Sequence, residues 1–231
     1  MKQTRIDDEN TNELYTVLPT VKKDVKHEPN IELLHLDCLE YLKQCSDNQF
    51  DLAIVDPPYG LERFKKGGSH VNKYGTEKQE WNNTKPSKEY FNELFRVSKN
   101  QIIWGANNFE LPTSEYFIIW QKGNAIDFSF AMCEQAWTNI KKPAKLYKYL
   151  HTQNKDIRIH PTQKPVRLYE WLLDNYTKPN YKILDTHLGS GSIAIACYNR
   201  GFDLVGLEID KEYHTKAVER LQARKNTPTL F

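Results

Sequence analysis

A carboxylate, a free carbonyl and an aromatic ring are brought together at Asp56-Pro57-Pro58-Tyr59, directly after the apolar run 50–55. Two successive prolines can neither continue a sheet ladder nor sit inside a helix, so the backbone leaves the run stiffly extended. The run reads as a short buried strand, and the carboxyl edge of an open α/β sheet is where ligands bind. A planar amino group suits such a site. The exocyclic nitrogen of adenine is a poor nucleophile because its lone pair is delocalised into the ring. Acceptors at Asp56 and the Pro57 carbonyl would favour a tetrahedral nitrogen with that lone pair freed, which stabilises charge as it develops. Tyr59 would stack on the base once it is drawn out of a duplex. Taken alone, the four residues read equally well as a Pro-Pro turn after a core strand, with Asp56 as a cap.

A second constellation lies far downstream. Residues 181–185 form a strand ending on Asp185, followed by Thr186-His187-Leu188-Gly189-Ser190-Gly191-Ser192 and a helix over 193–199. Glycines at 189 and 191 permit a tight turn and close backbone approach to a ligand. The next strand, 203–207, ends on Glu208, where a carboxylate can hold both ribose hydroxyls. Gly189, Gly191 and Ala194 also match a dinucleotide G-x-G-x-x-A pattern. Against that reading, only about one βα unit of chain follows Glu208, so the rest of the sheet must come from upstream. Asp185 would moreover repel a pyrophosphate, whereas it suits a ligand with a positive amine.

Asp-Pro-Pro-Tyr together with the downstream Asp-x-x-x-Gly-x-Gly resembles the S-adenosylmethionine-dependent amino-methyltransferases of DNA, whose catalytic motif is (Asp/Asn/Ser)-Pro-Pro-(Tyr/Phe/Trp). With the catalytic motif first and the cofactor glycines last, the order resembles the β group of that family. His160-Pro161-Thr162-Gln163-Lys164-Pro165 is similar to the group's His-Pro-(Thr/Ser)-x-Lys-Pro, and the resemblance spans roughly residues 31–222. The family's cofactor loop usually reads Asp-Pro-Phe-x-Gly-Ser-Gly-Thr. Here His187 replaces the Phe, and it reads as a packed, hydrogen-bonded neighbour rather than a proton carrier.

The resemblance implies methyl transfer from S-adenosylmethionine to adenine N6 in a specific double-stranded DNA sequence, with the target base flipped, as in restriction–modification systems. It implies Asp56, Pro57, Pro58 and Tyr59 as the catalytic set. Asp185 would hold the methionine amine, directly or through water, and Glu208 the ribose. Thr162 and Lys164 would approach the methionine carboxylate, and Thr186, Gly189, Ser190, Gly191 and Ser192 would form the cofactor loop. No metal and no covalent intermediate is required. Asp at the first motif position goes mostly with adenine and Ser with N4 of cytosine, so an N4-cytosine enzyme is the nearest alternative. A non-catalytic DNA-binding relative is the alternative from another class. Strand 31–36 ends at Asp37, and in the unpermuted chain order of this fold it stands between the strands of Glu208 and Asp56. Asp37 is therefore expected to bond the cofactor's adenine amino group, a role compatible with capping a helix over 38–44.

The composition fits a soluble, cytoplasmic enzyme. The chain has 231 residues and 39% apolar content, enough for one sizeable core. No apolar run approaches the ~20 residues that span a bilayer, and the polar start lacks the apolar region of a secretory signal. Its four cysteines form no C-x-x-C pair or zinc spacing. No Pro-Cys dipeptide occurs, which argues against cytosine ring-carbon methylation. Net charge is only +2, but residues 139–168 carry a local +7 and residues 63–88 a local +5. Aromatic residues interleave both stretches (Phe64, Tyr74 and Trp81; Tyr147 and Tyr149). Such a mix would bind nucleic-acid phosphates and bases. A chain this small also allows a homodimer.

The elements that must position these residues describe an α/β, single-domain, Rossmann-like methyltransferase fold. It has a mostly parallel seven-stranded sheet, helices on both faces and a circularly permuted motif order. Further strands are expected at 101–104, 116–120 and 134–138, and helices at 88–97, 165–176 and 211–223. Residues 1–29 read as a polar N-terminal extension, 30–223 as the catalytic domain and 224–231 as a tail. The long loop 60–87 and the stretch 139–159 are the candidate DNA contacts.

Overall fold

The computed structural model describes residues 28–60, 84–122, 131–149 and 156–227. The expectations for 1–27, 61–83, 150–155 and 228–231 lie outside these residues, and with them most of the 60–87 loop. In chain order the elements are β1 (Ile31–His35), α1 (Cys38–Gln44), β2 (Leu52–Val55), α2 (Lys88–Val97), β3 (Gln101–Trp104) and a 3-10 turn (Ala106–Asn108). They continue with β4 (Phe117–Gln121), β5 (Cys133–Thr138), β6 (Lys145–Lys148), α3 (Val166–Tyr176) and β7 (Lys182–Asp185). The last three are α4 (Ser192–Arg200), β8 (Asp203–Glu208) and α5 (Lys211–Lys225).

The strands form one sheet in the order β1-β8-β7-β2-β3-β5-β4-β6. From β1 to β3 all neighbours are parallel, with His35 opposite Glu208, Asp185 opposite Gly206, and Val55 opposite Ile103. β5 runs antiparallel to both β3 and β4, and β6 returns parallel to β4. The unit β7-α4-β8, last in the chain, thus sits between β1 and β2 in space. This is the permuted order read from the motifs.

β2 shows why central strands of such a sheet are continuously apolar: all four of its residues are buried, two on each face. Leu52 and Ile54 join a core completed by Leu168 and Leu172 of α3, Ile193 and Ala196 of α4, and Leu221 of α5. Ala53 and Val55 join a second core with Leu42 of α1 and Leu94 of α2. Helices therefore cover both faces.

Among the described residues the sheet has eight strands rather than seven. The addition, β6, lies within the stretch 139–159 read above as a DNA-contacting loop. Its residues alternate between half-buried and exposed, as expected of an edge strand with one solvated face. Lys142 donates to the Asn175 carbonyl, and Lys145 donates to Asn175 Oδ1 at 2.7 Å. Tyr147 stacks on Trp171 with centroids 4.8 Å apart. Much of the charge and aromatic surface of this stretch is thus engaged within the fold.

Gly191 also has a role the sequence did not suggest. Its φ is +70°, and a Cβ there would fall 2.9 Å from the Ala217 Cβ of α5. The glycine allows α4 and α5 to approach at the start of α4. Gly191→Ala is expected to destabilise the fold by about 1–3 kcal/mol, the strain of a left-handed non-glycine residue. A lowered urea midpoint with unchanged slope would register it; an unchanged midpoint would contradict this packing account.

Candidate active site

Parallel register brings four acids to one edge of the sheet: Asp37 after β1, Asp56 after β2, Asp185 at the end of β7 and Glu208 at the end of β8. A pocket of about 400 Å3 opens there. Its lining gathers Asp37, Asp56, Pro58, Thr162, Lys164, Thr186, Gly189, Ser190 and Glu208 of the expected site residues. Pro57, Tyr59, Asp185, Gly191 and Ser192 are not part of that lining. Segments more than a hundred residues apart in the chain thus face a single cavity.

Each acid is held by a different device. Asp37 caps α1, its Oδ1 accepting from the backbone of Leu39 at 2.9 Å and Glu40 at 3.1 Å. Glu208 Oε2 accepts from Gly189 N at 2.7 Å and Oε1 from Asp210 N at 2.9 Å. Burial nevertheless raises the Glu208 pKa. Asp185 is 2% exposed and accepts from His187 N at 3.0 Å. Burial, with the charges of Asp56 and Glu208 adding to it, pushes its pKa up to about 8.

Among the described residues, Asp56 is the one of these four acids with a cationic partner. Lys164 Nζ donates to its Oδ2, while Oδ1 accepts from the Tyr59 hydroxyl at 2.5 Å. Burial and the Asp56 charge raise the Tyr59 pKa well above its ordinary value, so it remains a phenol donor. The Tyr59 ring lies against Gly105, where a Cβ would come within 2.1 Å of it. Gly105, at φ +68°, makes room for the ring after β3. Lys164 also lies 3.0 Å from Glu134 Oε2 and 5.4 Å from the Trp104 ring centroid.

Around the cofactor loop, His160 packs edge-on to Tyr213 at 4.4 Å and accepts on Nδ1 from Thr162 N at 3.3 Å. Burial, with Lys164 and Arg158 nearby, lowers its pKa to about 3. His187 lies 2.9 Å, Nδ1 to Oγ1, from Thr186, which is itself 2.6 Å from the Tyr90 hydroxyl. Desolvation lowers the His187 pKa to about 4. It is a neutral, hydrogen-bonded ring at neutral pH. Ser192 is tied inward, with its Oγ accepting from Arg220 at 2.9 Å and lying 3.1 Å from Ser190 Oγ.

Several pocket residues escaped the sequence reading, Leu36, Ile209 and Tyr169 among them. Leu36 and Ile209 adjoin the acids Asp37 and Glu208 and are 49% and 60% exposed on the pocket rim. Exposed apolar side chains beside strand-tip acids were the available signal, and together they offer apolar faces to a planar ring. Tyr169 of α3 also lines the cavity, but nothing in its helical spacing separates it from a core residue.

The donor set fits S-adenosylmethionine. Carboxylates suit an amine and ribose hydroxyls, apolar rims suit a purine, and glycine backbone suits close approach. Among the described residues, no group of three His, Cys, Asp or Glu could hold a metal ion, and no helix is long and apolar enough to cross a membrane.

The raised Asp185 pKa gives a stability prediction. The fold resists its ionisation, so its contribution is complete below the unfolded value near ~3.9 and is lost as pH rises through about 8. Asp185→Asn keeps an acceptor for His187 N and cannot ionise. Its Tm is expected to exceed that of the unsubstituted protein, with the gap widening from pH 5 to pH 8. A pH-independent gap in thermal scans would contradict this.

The family model described as DNA methylase matches residues 103–219, half of the chain. The type II methyltransferase M.HpaI of Haemophilus parainfluenzae is 26% identical over 244 aligned residues, covering 84% of this chain and 75% of that protein. The type II methyltransferase M2.DpnII of Streptococcus pneumoniae is 26% identical over 243, covering 84% and 91%. Among solved structures, an M1.HpyAVI–SAM complex superposes with a TM-score of 0.57 at 22% identity, covering 83% of this chain and 100% of that one. The PvuII cytosine-N4-specific DNA methyltransferase superposes with a TM-score of 0.58 at 13% identity, covering 87% and 88%. These two share the fold. By its family match, the chain belongs to the N6/N4 DNA methylases, enzymes that methylate DNA with S-adenosylmethionine as cofactor.

Proposed function

We propose that this protein methylates the N6 amino group of adenine within a specific sequence of double-stranded DNA, with the target base flipped from the helix. One observation carries the reading: Asp56, the cofactor-loop residue Gly189 and Glu208 line the same pocket. S-adenosylmethionine, when bound, would supply a methyl activated by its sulfonium, which departs as a neutral thioether.

The chain's residues do the rest. Glu208 takes the ribose hydroxyls, Asp37 the adenine amino group, and Leu36 and Ile209 pack on the ring faces. Asp185 serves the methionine amine, directly or through water, and Thr162 and Lys164 the methionine carboxylate. Asp56 and the Pro57 carbonyl accept the amino hydrogens of the target base, freeing its nitrogen lone pair. Orientation of this kind can supply much of the acceleration. Tyr59 has two duties, orienting Asp56 through its hydroxyl and offering ring surface to the base.

Residues 30–223 form the catalytic domain in this reading, with the stretch 60–87 and the exposed part of 139–159, outside the contacts of β6, as the candidate DNA contacts. The protein acts in the cytoplasm, where its four unpaired cysteines stay reduced, and its size suits a homodimer. Asp at the first motif position favours adenine. The fold likeness to the PvuII enzyme, which is cytosine-N4-specific, favours N4-cytosine as the second reading.

The test is incubation of the protein with DNA and methyl-labelled S-adenosylmethionine, followed by digestion to nucleosides. Label is expected in N6-methyladenosine, and Asp56→Ala is expected to abolish transfer while the protein stays folded. Label in N4-methylcytosine would establish the second reading. No transfer, or full turnover by Asp56→Ala, would overturn the assignment.

A further inference from the structure

Glu134 lies on β5 opposite Trp120 of β4 and belongs to none of the motifs considered so far. Its Oε1 accepts from Lys122 Nζ at 2.6 Å, and its Oε2 lies 3.0 Å from Lys164 Nζ. Lys164, with its side chain 3% exposed, pairs at the same time with Asp56 Oδ2, and the Tyr59 hydroxyl stands 3.5 Å from its Nζ. An ammonium has three donors; Nζ donates to Asp56 Oδ2 and the Tyr59 hydroxyl, and Glu134 neighbours it as an ion pair. The row Lys122–Glu134–Lys164–Asp56 alternates in sign and sums to zero charge. The Trp120 ring centroid lies 5.6 Å from Lys122 Nζ, a further favourable contact for the cation.

The geometry points to Glu134 as a positioning residue for methyl transfer: acting through Lys164, it fixes the direction of Asp56 and preserves its strength as an acceptor for the target amino group. This rests on the role given to Asp56 above. A buried ammonium with one carboxylate partner directs its whole charge at that carboxylate and weakens it as an acceptor for anything else. A second anion on the far side shares the charge and fixes where Nζ sits. Burial alone would raise the Glu134 pKa, but Lys164 and Lys122 hold it below the usual carboxylate range, so the anion persists at neutral pH. Burial likewise opposes charge on Lys164, yet Asp56 and Glu134 raise its pKa and keep it an ammonium.

The test is a double-mutant cycle on Glu134→Gln and Lys164→Gln, with kcat measured at saturating cofactor and cofactor affinity measured by calorimetry. Glu134→Gln is expected to lower kcat at least tenfold while the cofactor Kd stays within twofold. In the Lys164→Gln background the same change is expected to cause no further loss, because its route of action is gone. A Glu134→Gln kcat within twofold of the unsubstituted protein overturns the proposal, as does an equal loss in both backgrounds. Should Glu134→Gln fail to fold, Glu134→Asp keeps the charge but draws it back by one methylene. It is then expected to lower kcat at unchanged Kd, and native kcat overturns the proposal. If the unsubstituted protein transfers no methyl at all, the reading of Asp56 itself has failed, a result distinct from an active enzyme indifferent to residue 134.

Discussion

Four carboxylates emerge from parallel strands at one edge of the sheet, and the site depends on how their repulsion and desolvation are offset. Among the described residues, three of them accept from backbone amides: Asp37 from the first turn of α1, Glu208 from Gly189 and Asp210, and Asp185 from His187. Asp56 differs in taking a cation and a phenol, both from side chains. The arrangement leaves Asp185 poorly compensated, with a pKa pushed up to about 8 by burial and neighbouring charge. An acid buried with one backbone donor lowers stability unless a cation comes to it. In the reading proposed above, the methionine amine meets that need, directly or through water.

The catalytic edge depends on elements far from it in sequence. β5 reaches Asp56 through Glu134 and Lys164, β3 delivers Gly105 and so the seat of Tyr59, and α5 closes on α4 only because residue 191 lacks a side chain. The antiparallel half of the sheet is thus more than an extension of the core. It supplies Glu134, the second anion beside the Lys164 ammonium that pairs with Asp56.

Much of this was legible in the chain. Continuous apolar runs ending on acids marked β2, β7 and β8, because strands buried on both faces must be apolar throughout and the first residue beyond the sheet must be polar. The pairing of β1 with β8 followed from needing a second acid-tipped strand beside Glu208. β6 was not legible, since Lys-Leu-Tyr-Lys is short, charged and half exposed, and reads as a basic loop. Glu134 gave no signal, because a lone acid in a strand acquires its role only from partners 12 and 30 residues along the chain. Gly191 carries a second role that sequence could not separate from the first: a glycine needed by a helix contact and one needed by a ligand look identical in sequence.

The most direct test of convergence between the two motif regions is a crystal structure with S-adenosylmethionine bound. The account predicts the ribose on Glu208 and the sulfonium methyl turned toward the nitrogen position defined by Asp56 and the Pro57 carbonyl. A cofactor bound elsewhere on the chain, or one whose methyl points away from Asp56, would contradict it.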